Sequence, residues 1–231
     1  MQNIKDMKNI DYAIFDMDGT LLDLAYDDFI WNHLFPIRYA ETHHCTLEQS
    51  HRTLSEFHQE HNHTLNWYSS RFWSAKVKVD VLAMQIEHKH KVAKRNGCLA
   101  ILQYLKENDY PIWLATNADV ASLTFKLKET GIAEYFDAIV SSETLGHAKE
   151  FNGFWQKLQE LHPFDVNNCY FIDDTEKVLN SAKQFGIQNL YSIRQPSSAK
   201  EARKTCNYPM LDALIDLISI LKNSEELKKY A

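Results

Sequence analysis

Only four cysteines occur in the 231 residues (Cys45, Cys98, Cys169 and Cys206), and no two form a CxxC pair. That spacing argues against a disulfide framework and against a zinc knuckle. A long apolar run is also missing. The most apolar late segment, Leu211 to Leu221, is interrupted by Asp212 and Asp216, and nothing approaches the ~18 apolar residues of a membrane span. Met1 to Asp11 has no apolar stretch long enough for a secretory signal. Positive charge is not in excess: 25 Lys plus Arg stand against 31 Asp plus Glu, a formal net charge of −6, a poor starting point for binding a nucleic-acid backbone. Internal repeats and low-complexity linkers are absent. What is present, 45% hydrophobic and 24% charged residues, is the composition of a folded chain rather than a disordered one. At roughly 150 residues per domain the length fits one large domain or a domain carrying an insertion. Such a chain buries about 70% of its unfolded surface without needing staples. These bounds lead to the expectation of a soluble, cytoplasmic protein acting on something small.

Tyr12-Ala13-Ile14-Phe15 is a short apolar run ending abruptly at Asp16, which reads as a buried strand. Similar runs recur at Pro111–Ala115, Ala138–Val140, Cys169–Ile172 and Asn189–Ile193. Helical stripes fill the intervals: Leu99, Leu102 and Leu105; Leu123, Phe125 and Leu127; Trp155, Leu158 and Leu161; and Val178, Ala182 and Phe185, the last closed by Gly186 as a C-cap. Strands alternating with helices of this length predict an α/β fold with a parallel sheet. From about Leu24 to Arg95 the alternation stops. That stretch is helix-compatible throughout and holds nine of the eleven histidines. It is too long for a crossover and reads as an inserted α-helical cap, residues 24–95, with residues 1–23 and 96–231 forming the core. The charged tail after Lys222 reads as frayed. Lys89, Lys91, Lys94 and Arg95 form a basic patch, read as a solvated helix end rather than a nucleic-acid site.

The chemistry concentrates at strand ends. Asp16-Met17-Asp18-Gly19-Thr20 follows the first strand directly. Residues two apart on an extended chain point to one side, so Asp16 and Asp18 face one site, and Gly19 permits a tight turn and close ligand approach. Alone, this could be a polar turn. Tyr170-Phe171-Ile172-Asp173-Asp174 repeats the arrangement, and paired acids at two strand ends would repel and raise each other's pKa unless a cation lay between them. All-oxygen ligands favour Mg²⁺ over zinc. Thr116-Asn117 ends another strand with a hydroxyl and an amide, and Lys149 follows the loop after the third strand.

In this order the motifs resemble the haloacid dehalogenase-like hydrolase superfamily: Asp16-x-Asp18-Gly-Thr its first motif, Thr116 its second, Lys149 its third and Asp173-Asp174 its fourth. The resemblance covers nearly the whole chain and implies a Rossmann-like core in which the first strand neighbours the fourth, with both acidic strand ends at a topological switch point. It implies Asp16 as nucleophile forming an aspartyl-phosphate, and Asp18 as the acid that protonates the leaving alcohol and then activates water, a role worth about 10²–10⁴-fold. Thr116, Asn117, Lys149 and groups at Gly19 and Thr20 would hold the phosphate oxygens. Asp16, the Asp18 carbonyl and Asp174 would bind Mg²⁺, with Asp173 a further ligand or the partner of one. Members that displace halide lack an acid at the Asp18 position, so Asp18 indicates phosphoryl transfer. The chain departs from the usual pattern at Ala148, where a proline commonly precedes the lysine.

The inserted stretch contains Trp31, Trp67, Tyr68, Phe72 and Trp73. Most of these read as the core of a small helical cap, although aromatic faces there would also stack on a purine. His61-x-His63 lacks a matching carboxylate and is weak as a second metal site. Leu21 to Asp27, with His63 to Tyr68 and Trp73, resembles the bacterial GMP/IMP 5′-nucleotidases of the superfamily, which implies hydrolysis of purine nucleoside 5′-monophosphates. Sugar phosphates or phosphoglycolate, handled by a phosphatase or a phosphomutase, are the nearest alternative. A non-catalytic interaction protein on the same fold is the remote one.

Overall fold

The computed structural model describes residues 11–228, so the reading of Met1 to Asp11 falls almost wholly outside them. Six strands form one sheet in the order β3-β2-β1-β4-β5-β6: β1 (Tyr12–Phe15), β2 (Ile112–Thr116), β3 (Ala138–Ser141), β4 (Cys169–Ile172), β5 (Asn189–Ile193) and β6 (Met210–Leu211). All pairs are parallel. The three central strands are buried at every position, as strands covered on both faces must be, and that is why they were legible as continuous apolar runs. The second strand is offset by one residue from the expected Pro111–Ala115, since proline has no N–H to give a ladder; the Pro111 carbonyl accepts from Ala13 instead. The two-residue β6 has no sequence signal of its own.

Helices α1 (Ala25–Phe29), α2 (Phe35–His43), α3 (Leu47–His61), α4 (Leu65–Tyr68), α5 (Ser70–Val77) and α6 (Val81–Glu87) lie between β1 and β2. A π-helical turn, Ile30–Leu34, joins the first two. Tyr26, Ile30, Phe35, Leu54, Trp73 and Val81 are buried together in a cluster of this block's own. The chain leaves and re-enters the sheet layer through two paired segments: Asp23 N–H donates to the Ala93 carbonyl (2.8 Å) and Arg95 N–H to that of Leu21 (2.9 Å).

Around the sheet lie α7 (Cys98–Glu107), α8 (Val120–Thr130), α9 (Ser142–Leu145), α10 (Asn152–Leu161), α11 (Glu176–Phe185) and α12 (Asp216–Lys228). Two apolar clusters, one on each face of the sheet, complete the core. Two sequence expectations need correction. The buried stripe of α7 is Cys98, Ile101, Leu102 and Leu105, an i, i+3, i+4, i+7 set that leaves Leu99 exposed, and Leu161 at the end of α10 is exposed as well. The tail after Lys222 is not frayed but helical as far as Lys228, anchored by buried Leu217 and Leu221. In the basic patch Lys89, Lys91 and Lys94 are exposed, as read, and also locally bonded: Lys94 donates to the Thr130 carbonyl (2.9 Å), the half-buried Arg95 to that of Pro196 (3.0 Å), and Lys89 pairs with Glu129 (3.2 Å). Among the described residues no helix is long and apolar enough to cross a membrane.

Candidate active site

The acids are positioned by the ladder itself. Asp16 N–H donates to the Ile172 carbonyl (2.9 Å), tying the end of β1 to the end of β4, and Asp173 N–H donates to that of Tyr191 (3.1 Å). Because β1 has β2 on one side and β4 on the other, these ends flank the point where strand order reverses, the usual ligand crevice of an open α/β sheet. Asp16, Asp173 and Asp174 are buried and each brings a carboxylate oxygen within 4.8 Å of the others. Burial pushes Asp16 up to about 7, with Lys149 opposing and Asp173 adding to the rise. Burial likewise lifts Asp174 to about 7, the Asp16 charge adding and Arg203 opposing. Asp173 rises to about 6 through burial, against Lys149.

Lys149 is the counter-charge. Its ammonium donates to Asp16 Oδ1, to Asp173 Oδ2 (2.7 Å) and to the Ala115 carbonyl (3.0 Å), so all three protons are used. Burial alone would lower its pKa; the two aspartates outweigh burial and hold it charged. The loop that carries it is fixed without the missing proline. Lys149 N–H donates to Asn117 Oδ1 (2.9 Å), Phe151 N–H to the Ala148 carbonyl (3.0 Å), and the Trp155 indole to the Lys149 carbonyl (3.0 Å).

Lys149, with Arg203 at the outer side of Asp174, still leaves the three clustered acids an excess of acceptor-only oxygens, the donor set of a hard divalent cation. Gly19 shows how tightly the chain wraps them. At φ +86°, a Cβ there would lie 2.7 Å from Asp174 Cγ, so only hydrogen fits. The residues present therefore suit a cation held by Asp16, Asp173 and Asp174.

A cavity of about 260 Å³ opens over these acids, near the lower end of the roughly 300–1,000 Å³ of small-molecule pockets. Asp16, Asp18, Thr116, Asn117, Lys149, Asp173 and Asp174 all line it; Gly19 and Thr20 do not. The Gly19 amide donates to the Leu22 carbonyl (2.8 Å) and the Thr20 amide to that of Met17 (3.4 Å), so both serve the turn. Thr20 is fully buried. Thr116 Oγ1 accepts from Ala118 N–H (3.1 Å) and keeps its own proton to donate. His61 and His63 part company, His61 lying 3.2 Å from Lys76 Nζ and His63 3.2 Å from Glu150 Oε1.

The aromatics divide. Trp73 is fully buried and Phe72 packs against the same cluster, whereas Trp31, Trp67 and Tyr68 face the cavity beside His58.

Several functional neighbours escaped the sequence reading. Glu150, buried directly after Lys149, accepts from Tyr68 Oη and from Asn117 Nδ2 (3.0 Å), so one carboxylate joins the helical block to the two loops that carry Thr116 and Lys149. Arg203 donates to the Asp174 carbonyl and lies 3.6 Å from its Oδ2. Lys126, on α8, contacts Asp18 and Asp27. Its signal was available: it shares the apolar face of Leu123 and Leu127, where a charge needs a partner.

The family model for haloacid dehalogenase-like hydrolases matches residues 13–191. The GMP/IMP nucleotidases YrfG of Escherichia coli (strain K12) and of Shigella flexneri are each 31% identical over 214 residues, covering 93% of this chain and 96% of theirs. Among solved structures, a HAD phosphatase from Thermococcus onnurineus superposes with a TM-score of 0.75 at 17% identity, covering 92% of this chain and 98% of its own. The L-2-haloacid dehalogenase PA0810 reaches 0.65 at 15% identity, covering 92% of this chain and 100% of its own. The fold is thus shared across more than one chemistry, while the match over most of the chain and the near-complete alignment with a relative above 30% identity settle kinship: this chain belongs to the haloacid dehalogenase-like hydrolases.

Proposed function

We propose that the protein is a Mg²⁺-dependent phosphatase that hydrolyses purine nucleoside 5′-monophosphates, with residues 24–95 acting as a cap over a core formed by the rest. The observation that carries the phosphatase reading is Asp18. A second carboxyl faces the same cavity as Asp16, beyond the three clustered acids, and displacement of an alcohol needs such a group whereas displacement of halide does not.

In this reading an Asp16 oxygen attacks phosphorus, the P–O bond to the leaving alcohol breaks, and Asp18 gives that oxygen its proton. Asp18 then takes a proton from water, which cleaves the aspartyl-phosphate and returns Asp16. Thr116 donates its free proton to a transferred oxygen, and Lys149, whose three protons are engaged, stabilises the transferred group through its charge. Asn117 acts one step back, fixing the Lys149 loop. Asp16, Asp173, Asp174 and the Asp18 carbonyl would hold Mg²⁺, whose charge offsets that of the attacking carboxylate and the phosphate dianion. The purine assignment is supported by the relationship to the YrfG nucleotidases and by Trp31, His58 and Trp67 at the cavity, which offer π-faces to a base. Such substrates belong to a cytoplasmic setting.

Phosphate release is to be measured on IMP, GMP, AMP, UMP, glucose phosphates and phosphoglycolate, with Mg²⁺ or EDTA, beside Asp16→Asn. The expected result is fastest release from IMP or GMP, lost in EDTA and in the variant. Release confined to sugar phosphates or phosphoglycolate would retain the chemistry and sink the purine assignment.

A further inference from the structure

Two residues of the same turn, Asp16 and Asp18, meet different lysines. Asp16 is bound to Lys149, which draws it toward Asp173. Asp18 Oδ1 accepts from Lys126 Nζ at 2.8 Å, and the same ammonium donates to Asp27 Oδ1 at 2.8 Å and Oδ2 at 2.9 Å. Lys126 is 2% exposed, and three donors directed at two carboxylates leave its head group no freedom to swing. Its ammonium also lies 5.3 Å from the centre of the Tyr26 ring. That ring is fixed in turn, its hydroxyl donating to the Gln85 carbonyl (2.7 Å).

The three members come from three places: Asp18 from the turn after β1, Lys126 from α8 beside the sheet, and Asp27 from α1 of the helical block. All three line the cavity. The partners of Lys126 are the carboxyl next to the clustered acids Asp16, Asp173 and Asp174 and one from the block above. The chemistry assigned to Asp18 is demanding in position. It must lie within about 2.6–3.2 Å of the leaving oxygen, and a misplacement of about 1 Å can cost on the order of 10²-fold.

We propose that Lys126 is a positioning residue for Asp18, and that Asp27 anchors it from the helical block, so that the acid is aimed where the leaving group enters. The inference rests on the phosphatase reading. It differs from a purely structural role, in which a buried ammonium only neutralises two enclosed acids, because positioning the acid matters in proportion to how badly the leaving group needs a proton.

The test compares an alkyl phosphate, IMP, with p-nitrophenyl phosphate, whose phenolate leaves readily without protonation. The rate of leaving-group release in a single turnover reports the first step alone, before the aspartyl-phosphate hydrolysis that both esters share. In Lys126→Met it is expected to fall on the order of 10²-fold from IMP and at least about tenfold less from the aryl ester, and Asp18→Asn is expected to show the same selectivity, its loss on IMP lying within the 10²–10⁴-fold of a lost general acid. Equal losses on both esters in folded Lys126→Met, beside selective losses in Asp18→Asn, would overturn the positioning role alone. Failure of the wild-type protein to hydrolyse either ester would overturn the phosphatase reading and this inference with it. Should Lys126→Met not fold, Asp27→Asn, nearly isosteric and retaining the lysine, is read in the same way: a smaller but still selective loss supports the inference, and an unselective one overturns it.

Discussion

A single hydrogen atom separates Gly19 from the Asp174 carboxyl. A methyl group at that position meets Asp174 Cγ at 2.7 Å and Oδ2 at 2.8 Å, on a backbone at φ +86° that side chains rarely adopt. Gly19→Ala must therefore push Asp174 out of the acidic cluster. The expected outcome is a loss of at least about tenfold in Mg²⁺ affinity, equal to roughly 1.4 kcal/mol, measured by calorimetric titration; undiminished affinity would show that Asp174 holds no metal. The glycine and the acids were legible because each pair of carboxylates ends an apolar run. Their partners were not. Lys126 meets Asp18 across 108 positions of sequence and Tyr68 meets Glu150 across 82, distances over which a single sequence carries no pairing signal. The aromatics of the helical block failed for a different reason. Burying Trp73 while turning Trp67 to the cavity depends on how short helices pack, and both residues have the same composition-level signature.

Among the elements, legibility followed burial. β1 and β4 stand where their apolar runs lie, since a strand covered on both faces has no polar alternation to blur it; β5 also stands where expected, although Asn189 and Tyr191 are only half-buried. The two-residue β6 offers too little pattern, and α12 was misjudged because the charges after Lys222 conceal a helix already anchored upstream. The loop from Gly146 to Glu150 is the element where structure adds most. It has no proline before Lys149, yet it is held by the Asn117 side chain, by Trp155 and, through Glu150, by Tyr68 of the helical block. Removing the Tyr68 hydroxyl breaks one link to the block and leaves that of His63, whereas removing the Glu150 carboxylate breaks both and also releases Asn117. Tyr68→Phe should raise KM more than it lowers kcat. Glu150→Ala should lower kcat as well, by about tenfold or more if a hydrogen bond to a charged group is worth 1.5–3 kcal/mol. Steady-state kinetics on one ester distinguish the two patterns, and an identical pattern in both variants would refute the division of labour.

For the molecule as a whole, the acids set a balance between proton and metal. Asp16, Asp174 and Asp27 are raised to about 7 and Asp173 to about 6, chiefly by burial, while the same groups in an unfolded chain titrate near ~4. Between those values the folded chain binds more protons than the unfolded one, so these groups make the metal-free protein less stable as pH rises from about 4 to about 7, and above that their effect levels off. A bound cation needs the oxygens of Asp16, Asp173 and Asp174 deprotonated. The rise in Tm produced by Mg²⁺ over EDTA should therefore be larger at pH 8 than at pH 5.5, as differential scanning fluorimetry would show; equal increments would mean that the cation does not compete with protons at this cluster.

The paired segments through which the chain leaves and rejoins the sheet layer bear on inheritance. Because Asp23 is bonded to Ala93 and Arg95 to Leu21, the two ends of the helical block are fastened to each other independently of what lies between them. Lengthening or replacing the intervening residues changes the entropy of closing that loop only logarithmically and leaves the register of β1 against β2 and β4 untouched. An exchange of the intervening helices would thus leave Asp16, Asp173 and Asp174 in their places, provided that the incoming segment keeps Asp27 for Lys126 and Tyr68 for Glu150.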